Sequence, residues 1–106
     1  MWNVNGNAIT MAEGDYGIKL PITISGTTLA AGDSVKVVFK KNPNGETILE
    51  KNYDTFTQNA FDLELTEAES ALFKVGSYVY LLDWYQSGNF LCNIIPSASF
   101  KVVDKA

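Results

Sequence analysis

A chain of 106 residues is long enough for one core, and a composition 46% hydrophobic and 19% charged excludes the polar, highly charged bias that keeps chains disordered. A formal charge of −4, with Lys40-Lys41 the one adjacent basic pair, argues against nucleic acid, whose phosphates draw affinity from clustered Lys and Arg. With no histidine and a single cysteine, Cys92, no usual zinc or copper site, no His-activated nucleophile and no internal disulfide is expected.

The start, Met1 to Thr10, has neither the basic end nor the apolar centre of a signal peptide, and no run of eighteen apolar residues occurs. A soluble chain that does not use that export route, and makes no membrane contact, is expected. A short first strand is predicted near Ala8 to Met11. Strict alternation then marks half-buried strands. Ile18, Leu20, Ile22 and Ile24 alternate with Lys19, Pro21 and Thr23; Val35, Val37 and Phe39 alternate with Lys36, Val38 and Lys40. Pro21 cannot donate a ladder hydrogen bond, so its strand belongs at a sheet edge or carries a bulge. Thr47 to Tyr53 is a weaker strand. Phe61, Leu63 and Leu65 point inward against Asp62, Glu64 and Thr66, and Ala98, Phe100 and Val102 form the inward set of a closing strand.

Turns fall between these runs at Glu13-Gly14-Asp15, Ser25-Gly26, Ala31-Gly32-Asp33, Asn42-Pro43-Asn44-Gly45 and Ser87-Gly88-Asn89. The one helical signal is Thr66-Glu67-Ala68-Glu69, whose Thr and Glu three apart fit a capping box. Ala68 and Leu72 would share its buried face, and Val75-Gly76 would stop it after about two turns. No linker or repeat interrupts the chain, so residues 1–106 read as a single all-β domain of about seven antiparallel strands with one short helical turn.

Between Val75 and Phe90 four aromatic rings crowd into one predicted strand. Alternation sends Tyr78, Tyr80, Leu82 and Trp84 to one side and Val79, Leu81, Asp83 and Tyr85 to the other. Gly76-x-Tyr78-x-Tyr80, after a helical turn and before a long strand, resembles the tyrosine corner of immunoglobulin-like sandwiches. There the first Tyr bonds its hydroxyl to the backbone upstream, and Tyr80 stands where those domains place a cysteine.

The wider pattern resembles the immunoglobulin-like N-terminal domain of phage baseplate upper proteins, found in tails and baseplates of phages and prophages of Gram-positive bacteria. The matching residues are Gly14-Asp15, the run Gly32 to Lys41, Leu65-Thr66-x-x-Glu69, Leu72, Gly76-x-Tyr78-x-Tyr80, Ile95 and Phe100-x-Val102. The family often has an Asp after its second Tyr; here Leu81 stands there and Asp83 follows two positions on. The resemblance implies an immunoglobulin-like antiparallel β-sandwich with a structural role, located in the virion after assembly in the host cytoplasm. It implies no catalysis and no cofactor, and other tail or baseplate proteins, or further copies of itself, as partners. Strand edges around Pro21 or Thr47 to Tyr53, with the segment before Ile9, are the expected docking sites.

Each remaining feature has a structural reading. Asp62 and Glu64 fall on a solvated strand face and Glu69 is a capping residue, so they are not read as the paired carboxylates of a glycosidase. Asp15, Asp33 and Asp54 are turn residues outside any calcium-loop motif. Cys92, between Phe90 and Ile94, is expected to be a buried small hydrophobe. Trp84 and Tyr85, beside a turn, carry the alternative function of a small non-catalytic carbohydrate-binding domain, for which two exposed coplanar rings would be needed.

Overall fold

A computed structural model describes residues 3–17, 19–24, 29, 31–56 and 59–104. The alternating runs become strands β1 (Asn3–Asn5), β2 (Ala8–Ala12), β3 (Leu20–Thr23), β4 (Asp33–Lys40), β5 (Thr47–Tyr53), β6 (Ala60–Leu63), β7 (Gly76–Gln86) and β8 (Asn89–Val103), with one helical turn, α1 (Glu67–Ser70), before β7. Ile18 and the Ser25-Gly26 turn lie outside the described residues. Six strands form one sheet in the order β1-β2-β8-β7-β4-β5, and β3 pairs with β6 in a second. The two sheets make an all-β sandwich.

The pairing is not wholly antiparallel. β2 runs parallel to β8, with Ile9 opposite Phe100 and Ala12 opposite Val103. On its other side β2 pairs with β1, which folds back on it through Gly6-Asn7, with positive φ at Gly6 as a type II′ turn needs. At the other end of the sheet Ser87 and Gly88, at φ 51° and 82°, make the type I′ turn that joins β7 to β8.

The core forms where the two sheets face each other. Val35, Val37 and Phe39 of β4, Tyr78, Tyr80 and Leu82 of β7, Phe100 and Val102 of β8 and Ile9 and Met11 of β2 meet Phe61 and Leu63 of β6 and Ile24 beside β3. Aromatic rings cluster around Phe39. Phe39 contacts Phe73 at 5.4 Å and Phe100 at 5.0 Å between ring centroids, both edge to face, the geometry that ring quadrupoles prefer. Val38, placed outward by alternation, is nonetheless buried, because β4 is an interior strand and Val38 is flanked by Glu50 and Leu81 on its outer face.

The helical turn begins as the sequence suggests and ends sooner. Thr66 caps it, its hydroxyl accepting from the Glu69 N–H while the Glu69 carboxylate accepts from the Thr66 N–H, a reciprocal capping box. Yet α1 is a single turn, and Ala68 and Leu72 are exposed. The Leu72 and Phe73 N–H groups bond three residues back, to the carbonyls of Glu69 and Ser70. This tightened exit swings Phe73, rather than Leu72, into the core.

Candidate functional site

Tyr78 and Tyr80 are neighbours on the core face of β7, near its start. The Tyr78 hydroxyl donates to the Lys74 carbonyl at 2.8 Å and accepts from the Lys74 N–H at 3.1 Å, so one side chain satisfies both backbone groups of the residue just ahead of the strand. Gly76 lies between them at φ 157°, and Lys41 Nζ sits 4.5 Å from the centre of the Tyr78 ring. Tyr80 donates to the Asn7 carbonyl, tying the β1–β2 turn to the sheet, and burial raises its hydroxyl pKa. All these groups hold the fold together, and none is directed at a ligand.

Trp84 and Tyr85 are not brought together. In the register with β4, Trp84 lies opposite Val35 and Tyr85 opposite Ser34, so the two rings leave opposite faces of the sheet. Both are half-buried. Tyr85 meets Phe90 edge to face at 5.7 Å and lies under Lys36 Nζ at 4.7 Å, while the Trp84 indole N–H is buried with no partner. Lys36 is in turn bonded to Glu50 at 2.7 Å, an interaction that raises its pKa. Two rings on opposite faces offer no flat platform on which a sugar could stack.

The unusual feature of the molecule is the far end of the β7–β8 hairpin. β8 has fifteen residues, but β2 covers its outer edge only at Phe100–Val103, and the strands of the smaller sheet have four residues each. The hairpin therefore outruns what would cover it. Phe90 is 57% exposed and Leu91 47%, and Cys92 is exposed as well. The expectation of a buried Cys92 is thus wrong, for a physical reason: an extra residue in β8 at Leu91 sets Cys92 opposite Trp84, where nothing overlies it. A thiol reagent is accordingly expected to label Cys92 in the native protein at a rate close to that in denaturant; strong native protection would mean that the hairpin is covered in solution.

Other strand edges are guarded. β5 carries Glu50 outward and Lys51 inward, the latter facing the core side beside Leu49 and Tyr53. Inward-pointing charge of this kind discourages a foreign strand from pairing. Lys51 itself is satisfied across the sandwich, donating to the Glu64 carbonyl and pairing with the Glu69 carboxylate at 2.8 Å. β3 is guarded by Pro21, β6 by Asp62, and β1 by its length of three residues. No residue from Trp84 to Phe100 carries a charge. That run was visible in the sequence; its exposure was not, because it depends on how far the neighbouring strands reach.

The Lys51–Glu69 contact gives a pH-dependent test. Burial alone would raise the Glu69 pKa, but the Lys51 ammonium and the Thr66 N–H outweigh it and hold the carboxyl below its usual range. A depressed native pKa adds stability above the unfolded-state value of about 4.3, and this is lost as pH falls through the native value. Glu69→Gln should therefore be less stable than the parent at pH 7 and approach it below pH 4; equal urea midpoints at both pH values would show the pair to be solvated.

The cavities are small. The one between the β1–β2 hairpin and β3, lined by Val4, Ile9, Leu20, Ile22, Tyr80 and Ile95, holds about 190 Å³, below the roughly 300–1,000 Å³ of common small-molecule sites. Its Tyr80 hydroxyl is already engaged with Asn7. Two more, of about 250 and 260 Å³, lie beside β6 and near Phe56. Among the described residues no group of three or more His, Cys, Asp or Glu could hold a metal ion, and no helix is long and apolar enough to cross a membrane. No family model, curated protein or solved structure matches the chain.

Proposed function

We propose that this domain is a non-catalytic structural and interaction module of a phage or prophage tail or baseplate, assembling by protein–protein contacts. The observation that carries the interaction role is the uncovered end of the β7–β8 hairpin, where Phe90 and Leu91 stand exposed on a stretch, Trp84 to Phe100, that carries no charge. Exposed large apolar groups gathered on a strand end mark contact surfaces in soluble proteins, whereas single ones scattered over a surface do not. The tail setting rests on the residues that resemble the baseplate domain, from Gly14-Asp15 through Gly76-x-Tyr78-x-Tyr80 to Phe100-x-Val102. The tyrosine pair and the capping box serve the fold in this reading and take no part in contact. In a tail, contacts weak singly act together, because symmetric placement raises the effective concentration of each.

The test is to tag the protein in its source, induce any prophage and purify tail particles by density. Cosedimentation of the tagged protein with the particles supports the proposal, and its recovery only as free protein overturns the tail setting.

A further inference from the structure

We infer that Asn5-Gly6, at the tip of the β1–β2 hairpin, is a site of spontaneous covalent modification, at which Asn5 is converted to aspartate and isoaspartate and the isoaspartate form releases β1 from the sheet. The Gly6 backbone nitrogen attacks the Asn5 Cγ, the new C–N bond closes a succinimide ring, and the side-chain amide nitrogen leaves as ammonia. Water then opens the ring at either carbonyl. The net change is water in and ammonia out, with nothing oxidised or reduced. Glycine leaves its amide nitrogen unshielded by a side chain, and of the asparagines only Asn5 and Asn44 are followed by one.

The structure separates the two. At Asn44-Gly45 the Gly45 N–H donates to the Asn42 carbonyl at 2.9 Å, the Asn44 N–H donates to Asn42 Oδ1 at 3.2 Å, and a Cβ on Gly45 would lie 3.0 Å from that same Oδ1. The attacking nitrogen is there both tied and crowded. At Asn5-Gly6 both residues are exposed, and nothing lies within 4 Å of the place a Cβ on Gly6 would take. The Gly6 N–H stands outside the Asn5–Ala8 pair that closes the turn. Attack requires the extended Asn5 backbone to rotate, and β1 opens readily: it has three residues, all exposed, and among the described strands it pairs only with β2. Isoaspartate routes the chain through the former side chain and so lengthens the backbone at a two-residue turn that sets the register. β1 then cannot pair as before, and the turn whose Asn7 carbonyl accepts from Tyr80 is displaced. The edge laid bare is β2, Ala8–Ala12, which has neither the charge nor the proline that guards β5, β6 and β3.

The experiment incubates the full chain at mildly alkaline pH, native and in urea, and follows its peptides by mass. In the native protein a gain of about 1 Da, with isoaspartate detected by enzymatic methyl labelling, should accumulate in the Asn5 peptide several-fold faster than in the Asn44 peptide. In urea the two rates should converge, because the hydrogen bonds and crowding that distinguish the sites are gone. Equal native rates, a faster Asn44, or an Asn5 modified only in urea overturns the modification site. Release of β1 is read by hydrogen exchange of the β2 amides that face it, which should speed up several-fold in the isoaspartate form. The controls are Asn5→Gln, whose longer side chain closes a larger ring more slowly, and Asn5→Asp, which adds the charge without lengthening the backbone. Asn5 is exposed, so both should match the parent in circular dichroism and keep its exchange at β2. Unchanged exchange in the isoaspartate form, or the same rise in Asn5→Asp, overturns the release of β1 by the lengthened turn.

Discussion

Phe39→Ala is expected to lower the folding free energy by about 3–5 kcal/mol, enough to remove much of the stability of a domain this size. Phe39 is fully buried on an interior strand, and its ring is held by Phe73, Phe100 and Tyr80, drawn from α1's exit, β8 and β7. Truncation removes the apolar area and leaves a cavity that three neighbours from three elements cannot all close. Phe39→Leu keeps most of the volume and should cost markedly less, which separates the loss of packing from any special role for the ring. Urea unfolding with an unchanged slope reports the difference directly. A midpoint for Phe39→Ala within error of the parent would mean that the aromatic cluster is not the centre of the core.

The ring cluster was partly legible in the sequence. Alternation in Val35 to Lys40 and Ser77 to Leu82 places Phe39, Tyr78, Tyr80 and Leu82 on inner faces, and all four are buried there. Phe73 was not legible, because its burial depends on α1 ending after one turn with three-residue bonds. Helical spacing pointed to Leu72, one residue short, and Leu72 is exposed. β2 was expected near Ala8 to Met11, but β1, and with it the hairpin, was missed although Asn5-Gly6-Asn7 is a strong turn signal; a strand of three residues shows too little alternation to be read. The parallel pairing of β2 with β8 is a long-range property that no local pattern encodes.

The candidate site divides in the same way. The capping box and the tyrosine spacing are local chemistry over three to five residues, and local chemistry can be read directly. Exposure of Phe90, Leu91 and Cys92 is a matter of differing strand lengths in two sheets, and one bulge at Leu91 changes which neighbours Cys92 meets. Alternation continued through an unseen bulge assigns the wrong surroundings to every residue beyond it. The uncharged run from Trp84 to Phe100 becomes informative only when set against Lys51, Glu50 and Pro21 on the other edges.

Tyr78→Phe isolates the polar half of the corner. The phenyl ring would keep its edge-to-face contact with Phe73 at 5.2 Å and its place beside Phe100, so only the hydroxyl is lost. With it go two hydrogen bonds, one to the carbonyl and one from the N–H of Lys74. Burying a backbone group without a partner costs more than the bond itself contributes, but Lys74 is exposed and water can reach part of what is left unpaired. The expected loss is therefore about 1–2 kcal/mol rather than the full penalty for two orphaned groups. Tyr78→Ala adds the loss of the ring and should cost about 3 kcal/mol or more. The difference between the two variants gives the packing share, and the Phe variant alone gives the hydrogen-bonding share. Local opening provides a second readout: with the hydroxyl gone, the Lys74 amide should exchange its hydrogen faster while amides in the middle of β4 and β7 slow or speed only with global stability. Unchanged urea midpoints for Tyr78→Phe, with unchanged exchange at Lys74, would show that the strand β7 is positioned by its rings alone and that the corner hydroxyl is incidental to the fold.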